Sequence, residues 1–312
     1  MTDTRVPSRV FPRAKQDSER ARTQVSTPQT ENPAYRLAFQ DMDFLLREDL
    51  RPVRFQLELL KPQLTIDEAG IASTFVMYGS ARIPSPDKAQ AMLDMAGSDP
   101  KARAIAERLV AKAKYYDVAR ELGRLASGFP RDEQGKRHFV VCSGGGPSIM
   151  EAANRGAADI GEESIGLNIV LPHEQAPNPY VTPRLSLQFH YFALRKMHFL
   201  LHARALAAFP GGFGTFDELF ELLTLIQTGK IEPIPVLLYG REFWERVVDF
   251  DALVEEGVIS ARDLDIFTYC ETAEEGWAHV QDFYKGRSML DGKAEAEEHA
   301  ADKVAHEAPK AR

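Results

Sequence analysis

Two glycine-rich turns, each following a short apolar run, decide the fold. Gly144-Gly-Gly-Pro-Ser-Ile-Met-Glu-Ala-Ala-Asn154 comes directly after His138-Phe-Val-Val-Cys142-Ser143, and Pro210-Gly-Gly-Phe-Gly-Thr-Phe-Asp-Glu218 comes directly after Ala205-Leu-Ala-Ala-Phe209. An apolar run of this length is typical of a buried strand, and the residues after each turn have helical spacing. Both segments therefore predict a strand, a tight turn and the amino end of a helix.

The same alternation extends outward from these two segments. Apolar runs typical of strands occur at 74–78, 138–142, 165–170, 185–189, 205–209 and 234–238. Segments with helical periodicity lie between or after them, near 102–126, 148–158, 192–202, 216–228 and 242–254. Strands that are apolar on both faces and separated by helices are typical of a parallel sheet covered on both sides. The sequence predicts an α/β fold, a doubly wound, Rossmann-like parallel sheet with helices on both faces.

The ends of the chain differ from this central part in composition. Residues 1–33 are rich in Arg, Ser, Thr and Pro with few apolar side chains, and we expect a disordered arm. Residues 34–66 predict an N-terminal helical extension with helices near 35–46 and 52–60, serving either as a cap on the fold or as an oligomer contact. We assign 67–287 to the Rossmann-like domain and 288–312 to a disordered tail.

Composition excludes several classes of protein. The 312 residues carry a formal net charge of −8, so the chain has no general attraction for a nucleic-acid backbone. We find no apolar stretch of bilayer-spanning length and no signal peptide, which predicts that the protein does not enter membranes. The two cysteines, Cys142 and Cys270, form no zinc-binding or disulfide pattern, and a reducing cytoplasmic location is expected.

The loops that follow the strands are where a doubly wound sheet binds its ligands. One such loop is Gly79-Ser80-Ala81-Arg82. The glycine-rich loops that begin at Gly144 and Pro210 each lead into the amino end of a helix, where free N–H groups suit an anion. Two such helix ends could share one phosphate, although an ordinary turn also favours glycine. A dinucleotide site is disfavoured, because Ile149 occupies the position of the closing glycine in GxGxxG.

Glu218 has two interpretations. Thr215-Phe-Asp-Glu218 matches a capping box, in which both side chains bond the first turn of a helix. Alternatively, Glu218 and Glu221 lie on neighbouring faces of a helix whose amino end holds phosphate, which places carboxylates beside the sugar of a nucleotide. The residues themselves leave both interpretations open.

Arg195 and Lys196 open the helix upstream of that loop. Arg195 is the better candidate for contacting a ligand, because guanidinium binds phosphate or carboxylate with two parallel hydrogen bonds. The eight histidines show no metal-binding spacing, so we expect no metal and no cofactor. A GxSxG nucleophile motif is also absent from the sequence.

These motifs resemble the LOG (Lonely Guy) family of nucleoside 5′-monophosphate phosphoribohydrolases, often labelled lysine decarboxylases. The resemblance runs from Ser73 to Trp244 and is carried by the glycine run at 144–146, Arg195-Lys196 and Pro210-Gly-Gly-Phe-Gly-Thr-Phe-Asp-Glu218. It implies hydrolysis of the N-glycosidic bond of AMP or a cytokinin riboside monophosphate, with Arg195 and Glu218 as the catalytic pair. The residues that it implies for phosphate and nucleotide binding are Gly79, Ser80, Arg82, Gly144, Gly145, Gly146, Met150, Lys196, Gly211, Gly212, Gly214 and Thr215.

Several expectations accompany this resemblance. Glu174 and Glu221 are possible additional carboxylates, and Ser148 stands where longer members usually have glycine, a replacement that we expect the turn to tolerate. The expected partners are a small nucleotide substrate and further copies of the chain, as a dimer or larger homo-oligomer. The alternative function is a non-catalytic nucleotide or molybdenum-cofactor carrier of the same fold, because likeness of fold does not establish activity.

Overall fold

The computed structural model describes residues 11–22, 25–172 and 176–286, and the chain divides into two compact units, Met1–Lys61 and Pro62–Arg312. The described part of the first unit contains α1 (Ala14–Ala21), α2 (Met42–Leu45) and the first part of α3 (Arg51–Glu68), which continues into the second unit. Three short 3₁₀ turns, Pro33–Tyr35, Ala38–Gln40 and Glu48–Leu50, separate these helices.

The N-terminal helices differ in part from the prediction. The helix expected over 35–46 is broken, because the Asn32 and Asp41 side chains accept hydrogen bonds from Ala34 N and Phe44 N and so start separate short turns. The helix expected over 52–60 is confirmed and is longer. Residues 1–33, predicted to be disordered, include α1, none of whose residues is buried. The domain boundaries stay predictions, and the tail 288–312 lies outside the described residues.

The second unit contains a parallel sheet of seven strands in its described part, in the order β4-β3-β2-β1-β5-β6-β7. The strands are β1 (Thr74–Tyr78), β2 (Val140–Ser143), β3 (Ile165–Ile169), β4 (Ser186–Phe189), β5 (Ala203–Ala208), β6 (Val236–Tyr239) and β7 (Thr268–Cys270). The helices are α4 (Pro86–Met95), α5 (Pro100–Lys112), α6 (Lys114–Ser127), α7 (Ile149–Ala158), α8 (Phe192–Leu201), α9 (Phe213–Gln227), α10 (Arg241–Val247), α11 (Phe250–Glu255) and α12 (Ala273–Tyr284). The predicted α/β doubly wound fold is confirmed.

Side-chain alternation along β1 shows why the sheet is covered on both faces. All five residues of β1 are buried. Val76 and Tyr78 belong to a core with α8 and α9, whereas Phe75 and Met77 belong to a core with α6, α7 and α12. Since successive side chains of a strand point to opposite faces, each face of the sheet buries its own apolar layer against helices.

Local features divide two of the predicted helices. The helix expected over 102–126 ends at Lys112 and restarts at Lys114. The helix expected over 242–254 breaks at Val248, whose φ of −134° is extended, and Asp249 caps the next helix through Ala252 N. Strand β7 and helices α4 and α12 were not anticipated, since none carries a long periodic pattern.

The strand order places the functional edge of the sheet. The chain runs outward from β1 through β2 and β3 to β4, then returns to β5 on the other side of β1. The loops after β1 and β5 therefore diverge at a topological switch point, where such sheets form a crevice. Ser80 N donates to Pro210 O at 3.1 Å, which joins these two loops directly.

Candidate active site

A cavity of about 890 Å³ opens at the carboxyl edge of the sheet, at the switch point between β1 and β5. Most of the site residues predicted from the sequence line it. They are Gly79, Ser80, Arg82, Gly144, Met150, Arg195, Gly211, Gly212, Gly214, Thr215 and Glu218. The fold therefore brings together residues from three loops and three helices, which are spread between Gly79 and Glu218 in the sequence.

Other predicted residues do not line this cavity. Lys196 Nζ forms ion pairs with Asp217 Oδ1 and Glu221 Oε2, each at 3.0 Å, so its charge is already compensated by carboxylates. Gly145 and Gly146 are not among the residues that line the cavity, and Gly145, at φ +73°, packs against the Asn168 side chain. Glu174 lies outside the described residues. Lys196 thus forms a partly buried ion-pair cluster with Asp217 and Glu221, none of which lines the cavity.

Arg195 and Glu218 meet inside the cavity as a buried pair. Arg195 Nε donates to the Leu167 carbonyl oxygen at 2.7 Å, and Arg195 Nη1 donates to Glu218 Oε1 at 3.2 Å. The guanidinium carbon also lies 5.0 Å from the centroid of the Phe199 ring, within cation–π range. With 9% of its surface exposed, Arg195 is held on three sides, which fixes the carboxylate that it contacts.

The electrostatics of Glu218 are unusual for an acid beside an arginine. Burial raises the pKa of Glu218 to about 7, and the nearby Arg195 guanidinium offsets that rise only in part. The cost of removing the carboxylate from water therefore exceeds the attraction of its partner. A carboxyl group with this pKa exchanges its proton near neutral pH, which suits a group that accepts or orients a proton.

The capping-box interpretation of Glu218 is wrong. Helix α9 begins at Phe213 with Gly212 as its N-cap, and no side chain caps it. Thr215 is already the third residue of the helix, so Glu218 lies about one turn beyond the free amides. Its side chain instead contacts Arg195.

The glycines at the cavity wall are required by their neighbours. A Cβ atom at Gly144 would lie 2.6 Å from Arg195 Nη2 and 2.8 Å from Met150 Sδ. A Cβ atom at Gly211 would lie 2.2 Å from Thr215 Oγ1. The loops after β2 and β5 therefore pack their backbones against the side chains of the site, with the amino ends of α7 and α9 beside the cavity.

Ser148 shows how the loop after β2 accommodates a residue other than glycine. It adopts φ 65° and ψ −120°, a conformation that favours glycine, immediately before α7. Its hydroxyl donates to the Ala81 carbonyl oxygen at 3.0 Å, linking the loops after β2 and β1. The expected turn is kept, and the serine supplies a contact that glycine would lack.

Sequence reasoning missed the remaining wall of the cavity. Tyr78 and Ala81 line it from β1 and the loop that follows, and the apolar side is formed by Phe213, Phe216, Phe243 and Val247. Phe216 and Phe243 both pack on buried Trp244, with ring centroids 5.3 Å away in each case. The strand-end position of Tyr78 was an available signal, whereas the aromatic side depends on packing between α9 and α10.

The described residues contain no group of three His, Cys, Asp or Glu side chains that could hold a metal ion. None of the helices in the described ranges combines the length and apolar composition needed to cross a bilayer.

Comparison with known proteins identifies the family. A family model described as "Possible lysine decarboxylase" matches residues 150–280, a range that includes both Arg195 and Glu218. The cytokinin riboside 5′-monophosphate phosphoribohydrolase LOG3 of Arabidopsis thaliana is 31% identical over 168 residues, covering 53% of this chain and 73% of the relative. The chain belongs to the LOG family.

More distant matches to this LOG-family protein were also found. The pyrimidine/purine nucleotide 5′-monophosphate nucleosidase of Escherichia coli (strain K12) is 28% identical over 139 residues, which cover 41% of this chain and 29% of that protein. Among solved structures, the molybdenum cofactor carrier protein of Chlamydomonas reinhardtii matches 67% of this chain and 96% of its own, with 17% identity and a TM-score of 0.39.

Proposed function

We propose that this LOG-family protein hydrolyses the N-glycosidic bond of nucleoside 5′-monophosphates and releases the free base and ribose 5-phosphate. The observation that carries the proposal is the buried Arg195–Glu218 pair, which lies in a cavity between glycine-rich helix amino ends. The names of the relatives, a phosphoribohydrolase and a nucleotide 5′-monophosphate nucleosidase, support the same reaction class.

The glycine loops are suited to the 5′-phosphate. Gly211, Gly212 and Gly214 line the cavity at the start of α9, where backbone amides and the helix dipole favour an anion. Gly144 faces the same cavity, and Arg195 Nη2 lies against it. A phosphate held there supplies binding energy at a distance from the reacting bond, and that energy positions the sugar.

Glu218 is the proposed group at the anomeric carbon. Cleavage of an N-glycosidic bond develops positive charge on the sugar, as in glycoside hydrolysis, and a nearby carboxylate stabilises that charge. The same carboxylate can orient the attacking water and accept its proton. A pKa of about 7 leaves a substantial ionised fraction at neutral pH while making the carboxylate a stronger base than an ordinary glutamate.

Arg195 is proposed to fix this carboxylate and to contact the substrate. Two of its nitrogens are used within the protein, Nε on Leu167 O and Nη1 on Glu218. Nη2 is directed toward the Gly144 loop, where the proposed phosphate would lie. Arg195 therefore connects phosphate binding to the orientation of the carboxylate.

Lysine decarboxylation has little support from the cavity residues. A pyridoxal phosphate enzyme needs a lysine that can form a Schiff base inside the site. None of the described residues lining the cavity is a lysine, and Lys196 is engaged by Asp217 and Glu221. The description of the matching family model therefore fits these residues less well than the names of the relatives.

The experiment is release of free base from a panel of nucleoside 5′-monophosphates, including AMP and a cytokinin riboside monophosphate. The Glu218→Gln variant is expected to lose at least ~100-fold in turnover while retaining ribose 5-phosphate binding, because the amide cannot accept a proton or stabilise positive charge. Glu221→Gln is a matched control, since Glu221 lies one turn further along α9, outside the cavity, and should keep full turnover.

Two outcomes would contradict the proposal. Full turnover in Glu218→Gln would remove the carboxylate from the mechanism. Tight nucleotide binding without base release from any substrate would favour the carrier function instead.

A further inference from the structure

Tyr78 is a polar residue of the cavity that the mechanism above does not use. It is the last residue of β1, the central strand of the sheet, and immediately precedes the Gly79-Ser80 loop. Only 3% of its surface is exposed, yet it lines the cavity. A buried phenol at this position is therefore part of the wall that a ligand would meet.

The neighbours of Tyr78 are the groups that hold the Arg195–Glu218 pair. Its side chain leaves β1 on the face covered by α8 and α9, the helices that carry Arg195 and Glu218. The Tyr78 ring packs edge-on against Phe199 with a centroid distance of 5.0 Å. Phe199 in turn lies under the Arg195 guanidinium. Tyr78, Phe199 and Arg195 thus form a continuous stack that ends at Glu218.

The hydroxyl of Tyr78 has no partner within the described protein. It makes no hydrogen bond to a described residue. It also differs from the unpartnered side-chain atoms that are fully buried among the described residues, because its oxygen is accessible. The cavity is therefore the space that it faces. A polar group of a largely buried side chain that faces a cavity without a partner is suited to hydrogen-bond a ligand.

Tyr78 remains a donor across the whole working range of pH. Burial raises the pKa of Tyr78 well above its ordinary value, and the negative charge of Glu218 adds to that rise. The phenol consequently stays neutral and keeps its proton while Glu218 titrates.

We propose that Tyr78 is a substrate-contacting residue whose hydroxyl donates a hydrogen bond to the ribose 2′-hydroxyl of the bound nucleotide. This inference rests on the proposed function, which places Glu218 at the anomeric carbon. The 2′-hydroxyl is attached to the next carbon of the ring, so a donor that neighbours Glu218 lies on the correct side of the sugar.

The chemistry of glycoside cleavage explains why such a contact would matter. Hydrogen bonds to the hydroxyl beside the anomeric carbon strengthen as the oxocarbenium-like transition state forms. A 2′-hydroxyl that accepts from Tyr78 can donate its own proton toward the Glu218 carboxylate. Tyr78 would thereby favour ribonucleotides over 2′-deoxyribonucleotides.

The test combines one variant with two substrates. Tyr78→Phe removes only the hydroxyl and keeps the ring against Phe199, so its melting temperature should match that of the wild type. With AMP we expect kcat/KM to fall on the order of tenfold. With 2′-deoxy-AMP we expect wild type and variant to be equal, because the group that Tyr78 contacts is already missing.

Tyr115→Phe is the matched control. Tyr115 is also a buried tyrosine, but it packs in the opposite core with α6 and does not line the cavity. This variant should leave kcat/KM unchanged for both AMP and 2′-deoxy-AMP. Equal losses for Tyr78→Phe on both substrates, or no loss on either, would overturn the proposed contact.

A binding measurement separates failure of this inference from failure of the proposed function. Calorimetry should show that wild type binds ribose 5-phosphate on the order of tenfold more tightly than 2-deoxyribose 5-phosphate, and that Tyr78→Phe removes the difference. If wild type releases no base from any nucleotide but shows this preference, the hydrolase proposal fails and the ribose contact stands. If base is released but the sugars bind equally in wild type and variant, the contact fails alone.

Discussion

Burial raises the pKa of Glu218 and ion pairing with Arg195 lowers it, and burial has the larger effect. The carboxylate is removed from water at the carboxyl edge of the sheet, and the guanidinium at 3.2 Å compensates for only part of that cost. The Glu218 carboxyl group is therefore only partly ionised near neutral pH, unlike a glutamate in an exposed ion pair.

The pH dependence of catalysis follows from this balance. Because the ionised carboxylate is the proposed active form and its pKa is raised to about 7, kcat/KM should rise with pH through about 7 and then level off. The negative charge of a bound phosphate dianion should raise the pKa of Glu218 further. The rise of kcat with pH should therefore occur at a higher pH than the rise of kcat/KM. A pH–rate profile for AMP measures both limbs, and a limb near 4.5 would show that the critical acid has an ordinary environment.

Gly144 tests whether the placement of Arg195 limits activity. In Gly144→Ala the new methyl group would lie 2.6 Å from Arg195 Nη2, so the guanidinium must shift away from its position in the cavity. We expect kcat/KM to fall on the order of tenfold or more with little change in the circular dichroism spectrum. Gly128→Ala is a suitable control, since its methyl group meets atoms no closer than 3.5 Å and lies outside the cavity. Unchanged turnover in Gly144→Ala would mean that Arg195 has room to move.

At the scale of elements, α6 and α7 approach so closely that their backbones touch. A Cβ atom at Gly123 in α6 would lie 2.4 Å from the Ala153 carbonyl oxygen, and one at Gly156 in α7 would lie 2.0 Å from the Arg120 carbonyl oxygen. This packing fixes α7, whose amino end faces the cavity. Small residues in two helices thus determine the position of a proposed anion-binding loop.

Gly156→Ala should therefore destabilise the fold. The methyl group would contact backbone that cannot rotate away, so the helices must separate, and overpacking of this kind costs about 1–3 kcal/mol or more. The intrinsic helix preference of alanine, worth roughly 1 kcal/mol, acts in the opposite direction. Urea unfolding compared with the wild type measures the net effect, with Gly128→Ala as the reference. A gain in stability would show that the two helices are more loosely packed.

A second element-scale feature lies at the amino edge of the sheet. Ser73 Oγ is 3.1 Å from His138 Nδ1, and His138 Nε2 is 3.3 Å from Asp132 Oδ2. These residue types resemble a hydrolase triad, but Ser73 is 2% exposed and its oxygen already accepts from Phe139 N. The set joins the start of β1 to the loop before β2 and has a structural role.

At the scale of the molecule, the net charge of −8 contrasts with a cavity lined by Arg82, Arg195 and helix amino ends. The attraction for an anionic ligand is local, so ligand binding should depend on the phosphate group. Self-association, expected from the family resemblance, stays a prediction that sedimentation velocity can test.

Ligand-induced stabilisation examines the cavity as a whole. Ribose 5-phosphate at about 100 times its dissociation constant should add ~2.7 kcal/mol to the free energy of unfolding and raise the melting temperature by several degrees. Ribose without phosphate should have little effect, because the helix amino ends then lack an anion. Arg195→Ala should reduce the shift and Glu221→Gln should not. An equal shift with ribose would place the binding energy outside the glycine loops.

The sequence by itself determined the layered fold and the loops that line the cavity. Apolar runs indicate which strands are buried on both faces. Glycines indicate where the backbone must turn tightly or approach a side chain closely. Both are local properties. The three motifs between Gly144 and Glu218 carried the family resemblance for the same reason, since each is a short stretch of consecutive residues.

Only the tertiary structure decided what the side chains do. Arg195 is held by Leu167 and Glu218, which lie 28 and 23 residues away, and that contact overturned the capping-box interpretation of Glu218. Tertiary packing also engaged Lys196 with two carboxylates outside the cavity and placed Tyr78 in its wall. Burial, ion pairing and cavity shape depend on segments that are distant in the chain, so the local periodicity of the sequence does not predict them.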